Sequence, residues 1–156
     1  MVETIRRRSS LVAVLTVALV TVGVLYASPA RADLHPKERQ LVGLIHKARH
    51  SHNVPKLQVS AKLTQLARKH VARMINQGNP VLHSSSSQMY GYMRQANCHA
   101  SLGENVGMHY TVPQMHQAFM RSSGHRANIL RSSWRKVGVG VKVHNGRVWV
   151  TELFCV

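Results

Sequence analysis

Acidic side chains are nearly missing from this chain. Of its 156 residues only 5 are Asp or Glu, against 21 Lys or Arg, for a formal net charge of +16. The cations do not gather into a stripe: beyond Arg6-Arg7-Arg8 they are scattered from Arg31 to Arg147 in runs no longer than two. That pattern lacks the footprint of specific nucleic-acid binding and fits a solvated surface drawn to anionic walls, lipids or polysaccharides. Cysteine is scarce as well, with only Cys98 and Cys155. Once those two pair, no thiol is spare, and no serine stands in a recognisable nucleophile setting, so covalent catalysis has little support.

The N-terminus has the organisation of a secretory leader. Arg6-Arg7-Arg8 form a basic region, Leu11 to Ala27 is an uncharged run, and Ala30-Arg31-Ala32 is an A-x-A cleavage pattern. Residues 1–32 are therefore read as a signal peptide and 33–156 as one secreted domain. Retention of the apolar run as a membrane anchor is the lesser alternative. The leader carries four arginines and one glutamate, so the mature chain keeps 17 basic and 4 acidic residues, a net +13. Its 124 residues suffice for a single core and leave no room for a second domain. In an oxidising compartment an even cysteine count favours a Cys98–Cys155 bridge, a long loop closure worth about 4 kcal/mol in the chain-entropy model. Two free buried thiols are the alternative.

Within the domain, Leu41, Leu44, Ile45 and Ala48 recur at helical spacing and predict a first helix over 34–50, with Pro36 near its start. Ser51 to Val59 reads as a connection. Ser60 is a candidate N-cap for a second helix, striped by Leu63, Leu66, Ala67, Met74 and Ile75 and stopped by Gly78 and Pro80. His70, at the edge of that stripe, reads as a packed or half-exposed histidine rather than a functional one. From Asn79 to Leu102 periodicity disappears, and a long loop is expected with Tyr90, Tyr92 and Met93 as anchors. Thr111 caps a third helix from Val112 to about Ser122, Gly124 breaks it, and Ala127 to Leu130 forms a further turn.

The C-terminal end carries the clearest local signal. Val137, Val139, Val141 and Val143 alternate, Asn145-Gly146 is a type I′ turn, and Val148 to Phe154 returns. A two-residue turn pairs Val143 with Val148, Val141 with Val150, Val139 with Glu152 and Val137 with Phe154. Both hairpin faces carry apolar residues, which implies helices on both sides of a small antiparallel sheet. Glu152 is the misfit, either at the sheet margin or held by a partner.

Beyond the first helix only Glu104 and Glu152 remain as carboxylates. Gly103-Glu104-Asn105 reads as a turn that aims a carboxylate, and the polar cluster at Gly124-His125-Arg126-Ala127-Asn128 supplies a histidine to meet it. Glu104, His125 and His83 are the candidate cleft. Arg126 is expected in solvent or bracing a loop, and Asn128 bonded to backbone.

These residues resemble the CAP superfamily (SCP-like), which joins cysteine-rich secretory proteins, antigen 5 and pathogenesis-related 1 proteins. The resemblance rests on His83-Ser84, Gly103-Glu104-Asn105, Ser123 to Leu130, Val137-Gly138-Val139-Gly140 and Trp149 to Phe154. It covers about Glu38 to Phe154 and is nearest to compact bacterial single-domain members. It implies an α+β fold, a three-layer α-β-α sandwich with a small antiparallel sheet and the C-terminal hairpin. It also implies a cleft of two histidines and two glutamates, carried over here as His83, Glu104 and His125. Ser122 stands where the second glutamate would align, so that acid is missing.

Two neutral imidazoles, His83 and His125, could ligate Zn²⁺ or another divalent cation while Glu104 orients a ring or a water. Without the fourth group, and amid positive charge, affinity should be weak and lost below about pH 6. The resemblance implies lipid or sterol binding, and the expected protein is a secreted monomer that binds such a ligand or another cell-envelope ligand, with no required cofactor and no catalytic residue assigned. A metal-assisted hydrolase or peptidase is the alternative, and a purely structural Glu–His pair is the third reading.

Overall fold

A computed structural model describes residues 33–156. The expected leader and its cleavage site lie outside the described residues. Asn145 and Gly146 both adopt positive φ, 48° and 68°, which is the I′ geometry that turns one right-twisted strand onto the next. The resulting hairpin joins β3 (Lys136–His144) to β4 (Arg147–Cys155). Its register is the one read from the sequence, with Val143↔Val148, Val141↔Val150, Val139↔Glu152 and Val137↔Phe154. The preceding elements are α1 (Pro36–Ser51), β1 (Gln58–Val59), α2 (Ala61–Asn76), α3 (Ser86–Ala96), β2 (Leu102–His109), α4 (Val112–Arg121) and α5 (Ser123–Leu130).

The sheet order is β1-β3-β4-β2, which places β4 inside and β2 at an outer edge. The three long strands are antiparallel, and β1 adds a two-residue parallel pair at the start of β3. Helices cover both faces. On one side Leu63, Leu66 and Ala67 of α2 and Tyr92 and Ala96 of α3 pack with Leu153 and Cys155. On the other, Leu41 and Ile45 of α1, Met115 and Phe119 of α4 and Ile129 of α5 pack with Val137, Val139, Val150 and Phe154. The result is the three-layer α-β-α sandwich. Gly138 and Gly140 make the α2 contact possible, since a Cβ at these positions would lie 2.2 Å from the Leu63 carbonyl carbon and 2.5 Å from that of Ala67.

The caps form where the sequence put them. Ser60 accepts from Leu63 N, and Thr111 accepts from Gln114 N. Cys98 and Cys155 form a disulfide that ties the segment after α3 to the end of β4.

Three expectations need correction. The long loop over 79–102 contains α3: Ser85 and Gln88 form a reciprocal capping box, and Asn97 ends the helix at φ 50°. The serine run hid a cap, and Tyr92 and Ala96, four residues apart, are its buried face. Gly103-Glu104-Asn105 is not a turn but the start of β2, paired in continuous register with β4. Gly124 does not break a helix either. The joint is Ser122, whose extended backbone (φ −84°, ψ 124°) ends α4 and starts α5, and Gly124 sits inside the second helix.

Candidate functional site

Strand β2 presents alternate residues to the two helical layers. Gly103 and Gly107 face the α4–α5 side, where a Cβ would strike Trp134 at 2.8 Å and Met115 at 2.7 Å. Asn105 shares that face, so Glu104 between them points to the α2–α3 side.

There the Glu104 carboxylate is fully engaged. Oε1 accepts from the His83 ring Nδ1 at 2.9 Å and from Ser84 N at 2.8 Å, and Oε2 accepts from Ser84 Oγ at 2.6 Å. These bonds dock the segment after α2 onto the edge strand. They also fix the His83 tautomer: Nδ1 carries the proton facing the carboxylate, and Nε2 presents its lone pair away from it. The His83 side chain is 57% exposed and that of Glu104 only 4%, so a buried acid aims a ring into the open.

Beneath this pair lies a set of partners that the sequence did not expose. His70, fully buried on α2, donates from Nε2 to Leu82 O at 2.7 Å and meets Ser84 Oγ through Nδ1 at 2.9 Å. The Ser84 hydroxyl has one proton for two acceptors, and the shorter contact, to Glu104, takes it. Arg73 Nη2 serves His70 Nδ1 and also donates to Tyr92 Oη at 2.6 Å. Burial lowers the His70 pKa, against the pull of Glu104. Of the two placements the sequence left open for His70, packed or half-exposed, the structure has the packed one. The only signals for the network were the His70–Arg73 spacing of three on one helix and Ser84 following His83.

On the opposite face of β2, Asn105 Nδ2 donates to Glu152 Oε2 at 2.9 Å and to His125 O at 3.1 Å, while its Oδ1 accepts from Asn128 Nδ2 at 2.9 Å. Asn128 Nδ2 also reaches Glu104 O at 3.2 Å. Asn128 thus bonds backbone, as expected, and Arg126 is exposed. Glu152 is not at the sheet margin but completely buried on β4, held by Asn105 through one oxygen while Oε1 has no partner among the described residues. Burial raises its pKa from 4.5 to about 8, with the Asn105 hydrogen bond as a smaller opposing effect.

His125, on α5, packs its half-buried ring against Phe119 with centroids 4.8 Å apart. Burial lowers its pKa first, and the charge of nearby His83 lowers it further. His83 and His125 therefore approach around the outer edge of β2, from the two helical layers. Glu104 bonds His83 directly, while among the described residues it has no hydrogen bond to His125 and reaches α5 only through the asparagines.

As a cation site the donor set is incomplete. Among the described residues no three His, Cys, Asp or Glu side chains are grouped to hold a metal ion. The available donors are the outward Nε2 of His83 and the ring of His125, since Glu104 is spent on protein partners. A carboxylate-oriented imidazole is nevertheless the usual preparation of a metal ligand.

The sequence matches the CAP family, described as the cysteine-rich secretory protein family, over residues 42–154. No curated protein matches it. Among solved structures, venom allergen-like protein 4 of Schistosoma mansoni superposes with a TM-score of 0.66 at 11% identity, over 78% of this chain and 89% of that one. An outer surface protein of Borrelia burgdorferi gives 0.66 at 15% identity, over 75% and 90%. An extracellular protein of Bacillus anthracis containing an SCP domain gives 0.63 at 22% identity, over 76% of this chain and 40% of that longer one. With its family match spanning nearly all of the described domain and its sandwich shared with these proteins, the chain belongs to the cysteine-rich secretory protein, or CAP, family.

Proposed function

We propose that this protein is exported and acts as a monomeric binding module for a lipid, sterol or other cell-envelope ligand, with His83, Glu104 and His125 forming the recognition cleft. The family's secretory character supports export. The observation that carries the binding reading is the saturation of Glu104. Both its oxygens are committed to His83 and Ser84, so the carboxylate is a poor general base, and what remains for a ligand is an outward imidazole and a ring resting on Phe119. The excess of positive charge suits approach to an anionic envelope.

The same Glu104–His83 bond favours one second reading, a metal-assisted hydrolase in which the two imidazoles hold Zn²⁺. The metal would supply an activated water; the chain would contribute the orientation of His83 by Glu104 and the apolar wall of Phe119.

Lipid analysis of the protein isolated from its native medium, compared for wild type, His83→Ala and His125→Ala, tests the first reading. Retention of an envelope lipid by wild type and its loss in both variants are expected. Equal lipid content in all three proteins rejects the cleft. Zn²⁺ titration at pH 7.5 should show weak binding that both substitutions reduce and that falls on acidification as protons compete for the ring nitrogens. Unchanged affinity in the variants assigns the metal to other surface histidines and removes the second reading.

A further inference from the structure

The opposite edge of the sheet from the cleft is also open. Strand β1 covers only the first two residues of β3, through Gln58↔Lys136 and Val59↔Val137. Val137 turns its carbonyl outward to Ser60 N at 2.8 Å, so by two-residue alternation the N–H and C=O of Val139, Val141 and Val143 face the same way. Val139 is buried and Val143 is 52% exposed. The accessible edge therefore begins at Val141.

Beside it is a cavity of about 310 Å³ lined by His35, Glu38, Arg68, Val71, Val141 and Lys142. Its roof is an ion pair that joins α1 to α2. Arg68 Nε and Nη2 grip Glu38 at 2.8 and 2.5 Å, and Glu38 also accepts from His35 N at 2.9 Å. The Arg68 charge is paired with Glu38, and its Nη2 also donates to Asp33 O at 2.7 Å, but donor capacity remains. Among the described residues neither Arg68 Nη1 nor the Lys142 amine makes a hydrogen bond to a side chain or backbone group. The edge thus combines unpaired main-chain groups, a side-chain-sized cavity whose lining includes two valines, one unpaired cation, Lys142, and a free Arg68 N–H.

We propose that this edge docks an extended acidic segment of a partner protein, which adds a strand along Val141 to His144 and places a Glu or Asp side chain in the cavity against Arg68 and Lys142. Strand addition draws affinity from main-chain bonds and specificity from pockets at alternate positions, and both are present here. A second copy of this chain is the disfavoured occupant. Symmetric edge-to-edge pairing would bring two unpaired Lys142 side chains toward each other, and a lysine on an edge strand opposes self-association.

The test is an amide chemical-shift titration of the purified protein with a capped peptide of alternating valine and glutamate, against one of alternating valine and lysine. The acidic peptide should shift the amides of residues 139–144 saturably and the basic one should not. Lys142→Glu should weaken binding about tenfold, the loss expected for one charge-assisted contact. Val143→Pro removes an outward N–H without touching the β3–β4 ladder and should abolish the shifts, while Val143→Thr should keep them. His125→Ala should change nothing, which separates this site from the cleft. Equal binding of the two peptides, unaltered binding by Val143→Pro, the same shifts with acetate alone, or concentration-dependent self-association through these amides would each overturn the proposal.

Discussion

Glu104 and Glu152 lie on neighbouring strands, one register step apart, and the protein treats them in opposite ways. Glu104 is on the edge strand and faces the α2–α3 layer, where a backbone N–H, a hydroxyl and an imidazole satisfy both oxygens. Glu152 is on the inner strand and faces the other layer, where Asn105 satisfies one oxygen and nothing satisfies the second. The difference teaches that a carboxylate's role here follows from its strand position. At the edge, chain segments can fold over the acid and bring donors to it. Inside the sheet, the neighbouring backbone is already paired, and the acid escapes the desolvation penalty by keeping its proton.

The largest expected effect is on pH dependence. The folded-state pKa of Glu152 is raised to about 8 from an ordinary 4.5, so the native chain retains a proton that the unfolded chain releases. Its contribution is fully present below the unfolded value and is lost as pH rises through the folded one. Wild type should therefore lose stability relative to Glu152→Gln by about 1.4 kcal/mol per pH unit between roughly pH 5 and pH 8. Urea unfolding of the two proteins across this range measures it, and parallel curves would show that Glu152 is ionised in the native state.

Next in size, Glu104→Ala should cost about 3 kcal/mol, because Ser84 N loses its acceptor while the His83 ring and the Ser84 hydroxyl lose theirs. Hydrogen exchange should locate the loosening at residues 82–85, and exchange spread evenly over the domain would contradict a local dock.

The smaller effect sharpens the comparison by acting on the residue that joins the two acids. Asn105→Ala should cost about 2 kcal/mol at pH 7, since the His125 carbonyl and Asn128 lose a partner. It should also move the Glu152 transition to still higher pH, because the lost hydrogen bond is the one that favours the ionised form. A transition unmoved in the variant would break the link between the asparagine and the buried acid.

Much of the fold was legible because its signals are local. The hairpin register followed from valine alternation and an Asn-Gly turn, and the α2 and α4 starts followed from Ser60 and Thr111 caps. The errors occurred where local signals conflict with tertiary ones. Gly103, Glu104 and Asn105 are poor strand formers, yet they pair with β4 because its partner edge was free and because Trp134 leaves room only for a glycine at 103. The serine run before α3 looked like a loop because its capping function depends on Gln88 folding back. In the site, His83 and Glu104 could be nominated from the sequence, but the layer each faces could not.

Taken alone, the sequence determined the alternation of apolar residues, the caps and the turn, and favoured the cysteine pair, since each depends on residues close in the chain or few in number. Only the tertiary structure decided that Ser84, rather than His125, stands beside Glu104, that His70 lies buried beneath that contact, and that Glu152 is sealed inside the sheet. Those outcomes depend on which strand lies at an edge and which helix covers which face. That choice is made by the packing of the whole domain, because a carboxylate's partners and its proton are set by the groups that folding brings around it.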